Sequence, residues 1–217
     1  MSDVIKDERV LLVAANLSNG GDPRFQLLYQ WLDANAISLA WVLMRAHYRR
    51  IHILSGTDVT SSSFVDSIHS LAHDPQTRAL DVFLVLHGSK GKLYFDDGPV
   101  TSSDLAARLQ AANLKHRLRL LYSTACYGAT HAGDFVEAGF RVASGAIGVN
   151  ANGPVDYPIQ LHEWGHNKRY KAVVNAGNQR LGIWTHDAMA RALGFDDVNS
   201  EKIIEGKTYT RITSEAI

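Results

Sequence analysis

The chain has one cysteine, Cys126, and ten histidines, of which His87 is followed directly by Gly88. A thiol is a poor nucleophile until it loses its proton. An imidazole beside it can take that proton and later give one to a departing amine. Gly88 has no Cβ to obstruct its backbone N–H, so that N–H and the N–H of Cys126 could form an oxyanion hole, each donor worth roughly 3 to 4 kcal/mol in the transition state. The chemistry described is thiolate attack on a peptide carbonyl, a thioacyl intermediate, protonation of the leaving amine by His87 and hydrolysis, with no cofactor. Taken singly, a cysteine after a strand is more often a small buried apolar residue than a nucleophile, and one histidine of ten falls beside a glycine by chance. What lifts the pair above that is the position of each at the end of an apolar run.

The run Val82, Phe83, Leu84, Val85, Leu86 stops at His87, and the run Leu118 to Tyr122 leads through Ser123, Thr124 and Ala125 to Cys126. Short runs rich in Val, Leu and aromatics, bounded by Gly and small polar residues and separated by a helical pattern, predict neighbouring parallel strands of an α/β sheet. Open α/β sheets work at the carboxyl ends of their strands, so both groups are expected on one rim.

The rest of the chain alternates in the same way. Residues 10–15 predict a first strand and 16–23 its turn. Residues 25–48 predict a helix, with Ile37, Ala40, Trp41, Met44 and Tyr48 on its inner face and a possible break near Asn35. Strand 51–54 precedes a helix capped within 61–63 that turns Phe64, Val65, Ile68, Leu71 and Ala72 inward. After His87 comes a small hairpin with its turn at Asp97 and Gly98, then a helix from Ser102 or Ser103 to Asn113 carrying Leu105, Ala106 and Leu109 inward. A short helix at 134–138, a strand at 140–147, an irregular stretch at 150–158, helices at 159–176 and 185–193 and a final strand at 207–212 complete the order.

A length of 217 residues with 46% hydrophobic content suits one domain, 1–217. Its 22 basic and 22 acidic residues give no electrostatic reason for a nucleic acid or anionic membrane partner. Residues 1–10 lack the pattern of a signal peptide, and no stretch has the unbroken apolar length of a membrane span. One cysteine precludes an internal disulfide, and the expectation is a cytoplasmic protein acting on a peptide or protein substrate. The oligomeric state is not legible.

An apolar run ending in His-Gly, followed about forty residues later by one ending in Ala-Cys, resembles the caspase-like cysteine peptidases. The closest likeness is to the legumain family, which includes the catalytic subunit of the GPI transamidase. It is carried by His87, Gly88, Ser89, Lys90, Gly91, Lys92, Leu93, Tyr94, Phe95, Asp96 and Asp97, and by Thr124, Ala125, Cys126, Tyr127 and Gly128. The resemblance implies a caspase-like three-layer sandwich, a mostly parallel central sheet with helices on both faces, with His87 and Cys126 as catalytic dyad and Gly88 as oxyanion donor. For the substrate pocket it implies Arg24 as the arginine and Asp156 as the later aspartate. Asp22 stands where the family has an asparagine near the histidine. A second register, anchored on Asp33 and Ala34, puts Tyr29 in place of Arg24. Thr124 occupies the position two before the cysteine, where legumains carry an acidic residue, so one charged wall is missing.

Two other functions compete with this one. His162, Glu163 and His166 satisfy HExxH, in which two histidines one helical turn apart hold Zn²⁺ and the glutamate serves as base. The extended pattern fails at Arg169 and Ala172. A caspase-like module that binds without cleaving is the other alternative, and its expected cue, loss of the dyad, is missing.

Overall fold

A computed structural model describes residues 3–216 and their side chains other than that of Arg180; Met1 and Ser2, part of the stretch read for a signal peptide, and Ile217 lie outside it. The expected α/β architecture is present. Strands β1 (Arg9–Asn16), β2 (Arg50–Ser55), β3 (Ala79–Ser89), β6 (Leu118–Ser123), β7 (Val142–Ala146) and β8 (Lys202–Gly206) form a sheet in the order β2-β1-β3-β6-β7-β8. All neighbours are parallel except β8, which runs antiparallel to β7. Strands β4 (Lys92–Phe95) and β5 (Gly98–Thr101) extend β3 as an antiparallel hairpin.

Both faces of the sheet are covered, so its strands read as continuous apolar runs rather than alternating ones. Val10, Leu12, Ala14, Val82, Leu84 and Leu121 pack on one side under α2 (Ser61–His73), α3 (Ser102–Gln110) and α4 (Ala129–Glu137). Leu11, Val13, Ala15, Phe83, Val85 and Tyr122 pack on the other under α1 (Gln26–Met44), α5 (Gly153–Gly165) and α6 (Tyr170–Gly177). Helix α7 (Arg180–Ala192) contributes Met189 and Ala190 to a cavity that residues of α1 and α5 also line. Among the described residues no helix is long and apolar enough to cross a membrane.

Several boundaries differ from expectation, each for a local reason. The first helix runs unbroken through Asn35, whose amide donates to the Trp31 carbonyl, and Trp41 is 49% exposed instead of inward. The buried stripe is Asp33, Ala36, Ala40 and Met44, and Trp41 lies one residue, about 100°, off it. Helices α2 and α3 are capped by Thr60 and Thr101, one residue before the expected serines, because these are the first hydroxyls able to accept an N–H from the third helical residue.

The stretch expected to be irregular at 150–158 instead opens α5: Pro154 occupies the first turn, where its missing N–H costs nothing, and Pro158 is accommodated further in. The single helix expected over 159–176 is two, separated by a turn with Asn167 in the left-handed conformation (φ 59°). The last strand is Lys202–Gly206, not 207–212. Residues of the latter stretch turn away to accept hydrogen bonds at the start of α6, from Lys171 N–H to Thr208 and from Tyr170 N–H to Thr210.

A buried ion pair ties the strands together at the other end from the expected rim. Arg119 on β6 meets Asp81 on β3 through two hydrogen bonds of 2.9 and 2.8 Å, both side chains fully buried. Tyr48 and the Trp164 indole also donate to Asp81, and Arg119 reaches the carbonyls of Ile212 and Ser214. Those contacts anchor the C-terminal segment.

Candidate active site

Strand order decides where a ligand can enter. From β1 the chain crosses to β2 on one side, then passes back to β3 on the other, so the connections after β1 and β3 diverge and leave a crevice at their carboxyl ends. His87 stands at that point on β3. Residues Leu84 and Ser123 are paired across β3 and β6, which brings the last residues of β3, including His87, beside the end of β6 and the turn after it that carries Cys126. Both border a cavity of about 380 Å³.

The imidazole is held from behind. His87 Nε2 lies 2.7 Å from the Leu17 carbonyl in the loop after β1. A carbonyl only accepts, so Nε2 carries the proton and Nδ1 keeps its lone pair. The Leu17 and Ser18 N–H groups donate to the two oxygens of Asp33, at 2.8 and 2.9 Å, so a buried carboxylate on α1 fixes the loop that aligns the histidine. The Tyr29 ring stands edge-on to the imidazole, centroids 4.8 Å apart. Gly21 fits between them only because it lacks a Cβ, which would lie 2.4 Å from Tyr29 and 2.5 Å from Nε2.

Cys126 is half-buried in the turn between β6 and α4. The next residue, Tyr127, adopts a left-handed backbone (φ 56°), an unusual conformation for a bulky side chain, and its N–H donates to the Gly148 carbonyl at 2.8 Å. The Asn150 N–H points at Sγ from 3.4 Å, and the Asn150 amide donates to the Thr124 carbonyl at 2.7 Å. Burial pushes the Cys126 thiol up, opposed by the Asn150 N–H and the Lys202 charge. Burial also pushes the His87 imidazole down, opposed by the Leu17 carbonyl and the Asp33 charge. Both shifts favour a neutral thiol and a neutral imidazole at rest. Gly88 has a steric role as well: a Cβ there would lie 2.6 Å from the Cys126 carbonyl oxygen and 2.9 Å from Ala125.

The substrate-pocket candidates separate. Thr124 lines the cavity and so does Tyr29, the residue of the second register. Arg24 is not among the lining residues; its side chain is 69% exposed and forms an ion pair with Asp22 at 2.6 Å. Asp156 is a core residue, its carboxylate accepting from Tyr122 at 2.6 Å and from Gln160 at 2.8 Å and pairing with Lys202 at 2.7 Å. The HExxH residues sit at the other end of α5, next to His47. His162 contacts Glu163 at 3.2 Å and His166 Nδ1 donates to the His162 carbonyl. Among the described residues no three His, Cys, Asp or Glu side chains group to hold a metal ion.

Asp33 was missed as a functional residue. A charged side chain on the buried stripe of Ala36, Ala40 and Met44 was the signal that could have revealed it. The chain matches no protein-family model and no curated protein.

Proposed function

We propose that the chain is a cysteine endopeptidase of the caspase-like type, with Cys126 as nucleophile and His87 as general base and acid. The observation that carries this reading is the tautomer of His87 beside a cavity shared with Cys126: with Nε2–H committed to Leu17, Nδ1 keeps its lone pair to accept a proton, and both residues border the same cavity. As Sγ attacks the peptide carbonyl carbon, Nδ1 takes the thiol proton. The oxyanion is received by the N–H groups of Gly88 and Cys126, and the imidazolium returns its proton to the leaving amine. Water, deprotonated by the same Nδ1, then cleaves the thioester. The order of His-Gly and Ala-Cys at the ends of β3 and β6 supports the resemblance to the caspase-like clan, and a catalytic thiol suits a reducing, cytoplasmic location.

Alkylation and mutagenesis test the proposal. Iodoacetamide is expected to modify Cys126, and Cys126→Ala and His87→Ala are each expected to abolish peptide turnover. Full turnover in both variants, with loss on chelation, would instead point to His162, Glu163 and His166. No turnover of any peptide by the unmodified protein would leave a binding module.

A further inference from the structure

Among the described residues, none that lines the cavity beside the dyad carries a fixed charge. Its walls come from α1 (Tyr29, Leu32), the start of α5 (Pro154, Tyr157) and the end of α7 with the residues after it (Leu193, Phe195), and among the described residues no Asp, Glu, Lys or Arg lines it. Arg24 and Asp156, the charged residues that the legumain resemblance implies around an asparagine side chain, lie outside this lining, the first paired with Asp22 and the second with Lys202. At the mouth, Leu28, Trp31, Met189 and Leu193 remain about half-exposed, an apolar rim with no covering of its own.

Resting on the peptidase reading, we infer that this cavity is the specificity pocket for a large apolar side chain, aromatic or branched aliphatic, on the residue whose carbonyl Cys126 attacks. At about 380 Å³ it is near the low end of clefts that hold small ligands and has room for one such side chain. A charged side chain seated here would lose its water and find no counter-charge among the described lining residues, and an asparagine amide would depend on the few polar side chains of a mostly apolar lining, among them Asn35, Thr124, Asn150 and His186. An aromatic or leucyl group loses nothing polar and covers the exposed rim. Discrimination therefore comes from the penalty on the wrong substrate as much as from burial of the right one.

Peptidyl acyloxymethyl ketones with phenylalanine, alanine, asparagine, aspartate or arginine next to the reactive carbonyl test this on the full chain, with Cys126 modification followed by mass spectrometry. The phenylalanine probe is expected to react at least tenfold faster than the asparagine, aspartate and arginine probes. Ala190→Trp, which fills the cavity from α7, is expected to slow the phenylalanine probe at least tenfold more than the alanine probe. Leu193→Glu, at the exposed rim, is expected to raise the arginine-to-phenylalanine rate ratio without needing a change in the core. Fastest reaction with the aspartate, asparagine or arginine probe, or equal rates for all, overturns the apolar pocket and leaves the peptidase intact. Failure of every peptidyl probe to modify Cys126 overturns the peptidase reading itself.

Discussion

The Asp33 carboxylate accepts the N–H of Leu17 at 2.8 Å, and the carbonyl of that same Leu17 receives the Nε2 proton of His87. The orientation of the imidazole is thus set by a helix on one face of the sheet acting through a backbone loop. Asp33→Asn replaces one accepting oxygen by an amide that cannot accept, freeing one of the two N–H groups. A drop of about 10- to 100-fold in turnover is expected from the loosened loop. The Asp33 charge raises the His87 pKa, so its removal is also expected to move the acid limb of the pH profile further down, a change that misfolding alone would not produce.

The width of that profile is itself a prediction. The working dyad holds one proton, as thiol plus neutral imidazole. Acid protonates His87 and removes the base; because burial lowers its pKa, the acid limb is expected below 6.5. Alkali removes the thiol proton that the leaving amine must later receive; because burial raises that pKa, the alkaline limb is expected above 9.0. Measuring kcat/KM against pH checks both, and a profile narrower than this interval contradicts the burial argument.

Gly88→Ala separates the steric role of this residue from its N–H. The added methyl would lie 2.6 Å from the Cys126 carbonyl oxygen, so β3 and the nucleophile turn must move apart. We expect activity to fall by more than tenfold and stability to fall by about 1 to 3 kcal/mol, the usual cost of overpacking. Activity assays and urea unfolding of the same variant read the two effects.

Asp81→Ala strands the fully buried guanidinium of Arg119. Loss of one member of a buried pair costs about 3 to 5 kcal/mol, and denaturant unfolding is expected to show it. A double variant with apolar residues at both positions is expected to recover much of that stability, because the cost lies in the unpaired charge.

Asp156 gives a contrasting result if the cavity is as described. Asp156→Asn weakens the pairing of buried Lys202 and the acceptor for Tyr122, so a loss of stability is expected with no change in the order of probe preference. A switch in preference without loss of stability would place Asp156 in the pocket after all.

The central strands were legible because burial on both faces writes itself as unbroken apolar text: residues 82–86 and 118–122 lie inside β3 and β6. Likewise, the inward faces of α2 and α3 followed from three- and four-residue spacing. The start of α5 was not legible, because Pro154 and Pro158 both signal a break, yet a first helical turn tolerates Pro154 and the helix continues through Pro158. The final strand was displaced because Tyr209 and Thr210 look like strand residues, yet Thr208 and Thr210 supply carbonyls to the next helix over.

From residue order alone came the α/β layering, the likeness to caspase-like enzymes, and the suspicion that His87 and Cys126 share a rim. Pattern reaches that far because periodicity reports which faces are buried. Only folding in three dimensions chose Tyr29 over Arg24 for the cavity wall, buried Asp156 against Lys202, and recruited Asp33 and Leu17 to hold the imidazole. Those outcomes depend on where helices settle against the sheet and which carbonyl an imidazole meets. Such contacts join residues distant in the chain, and local spacing carries no record of them.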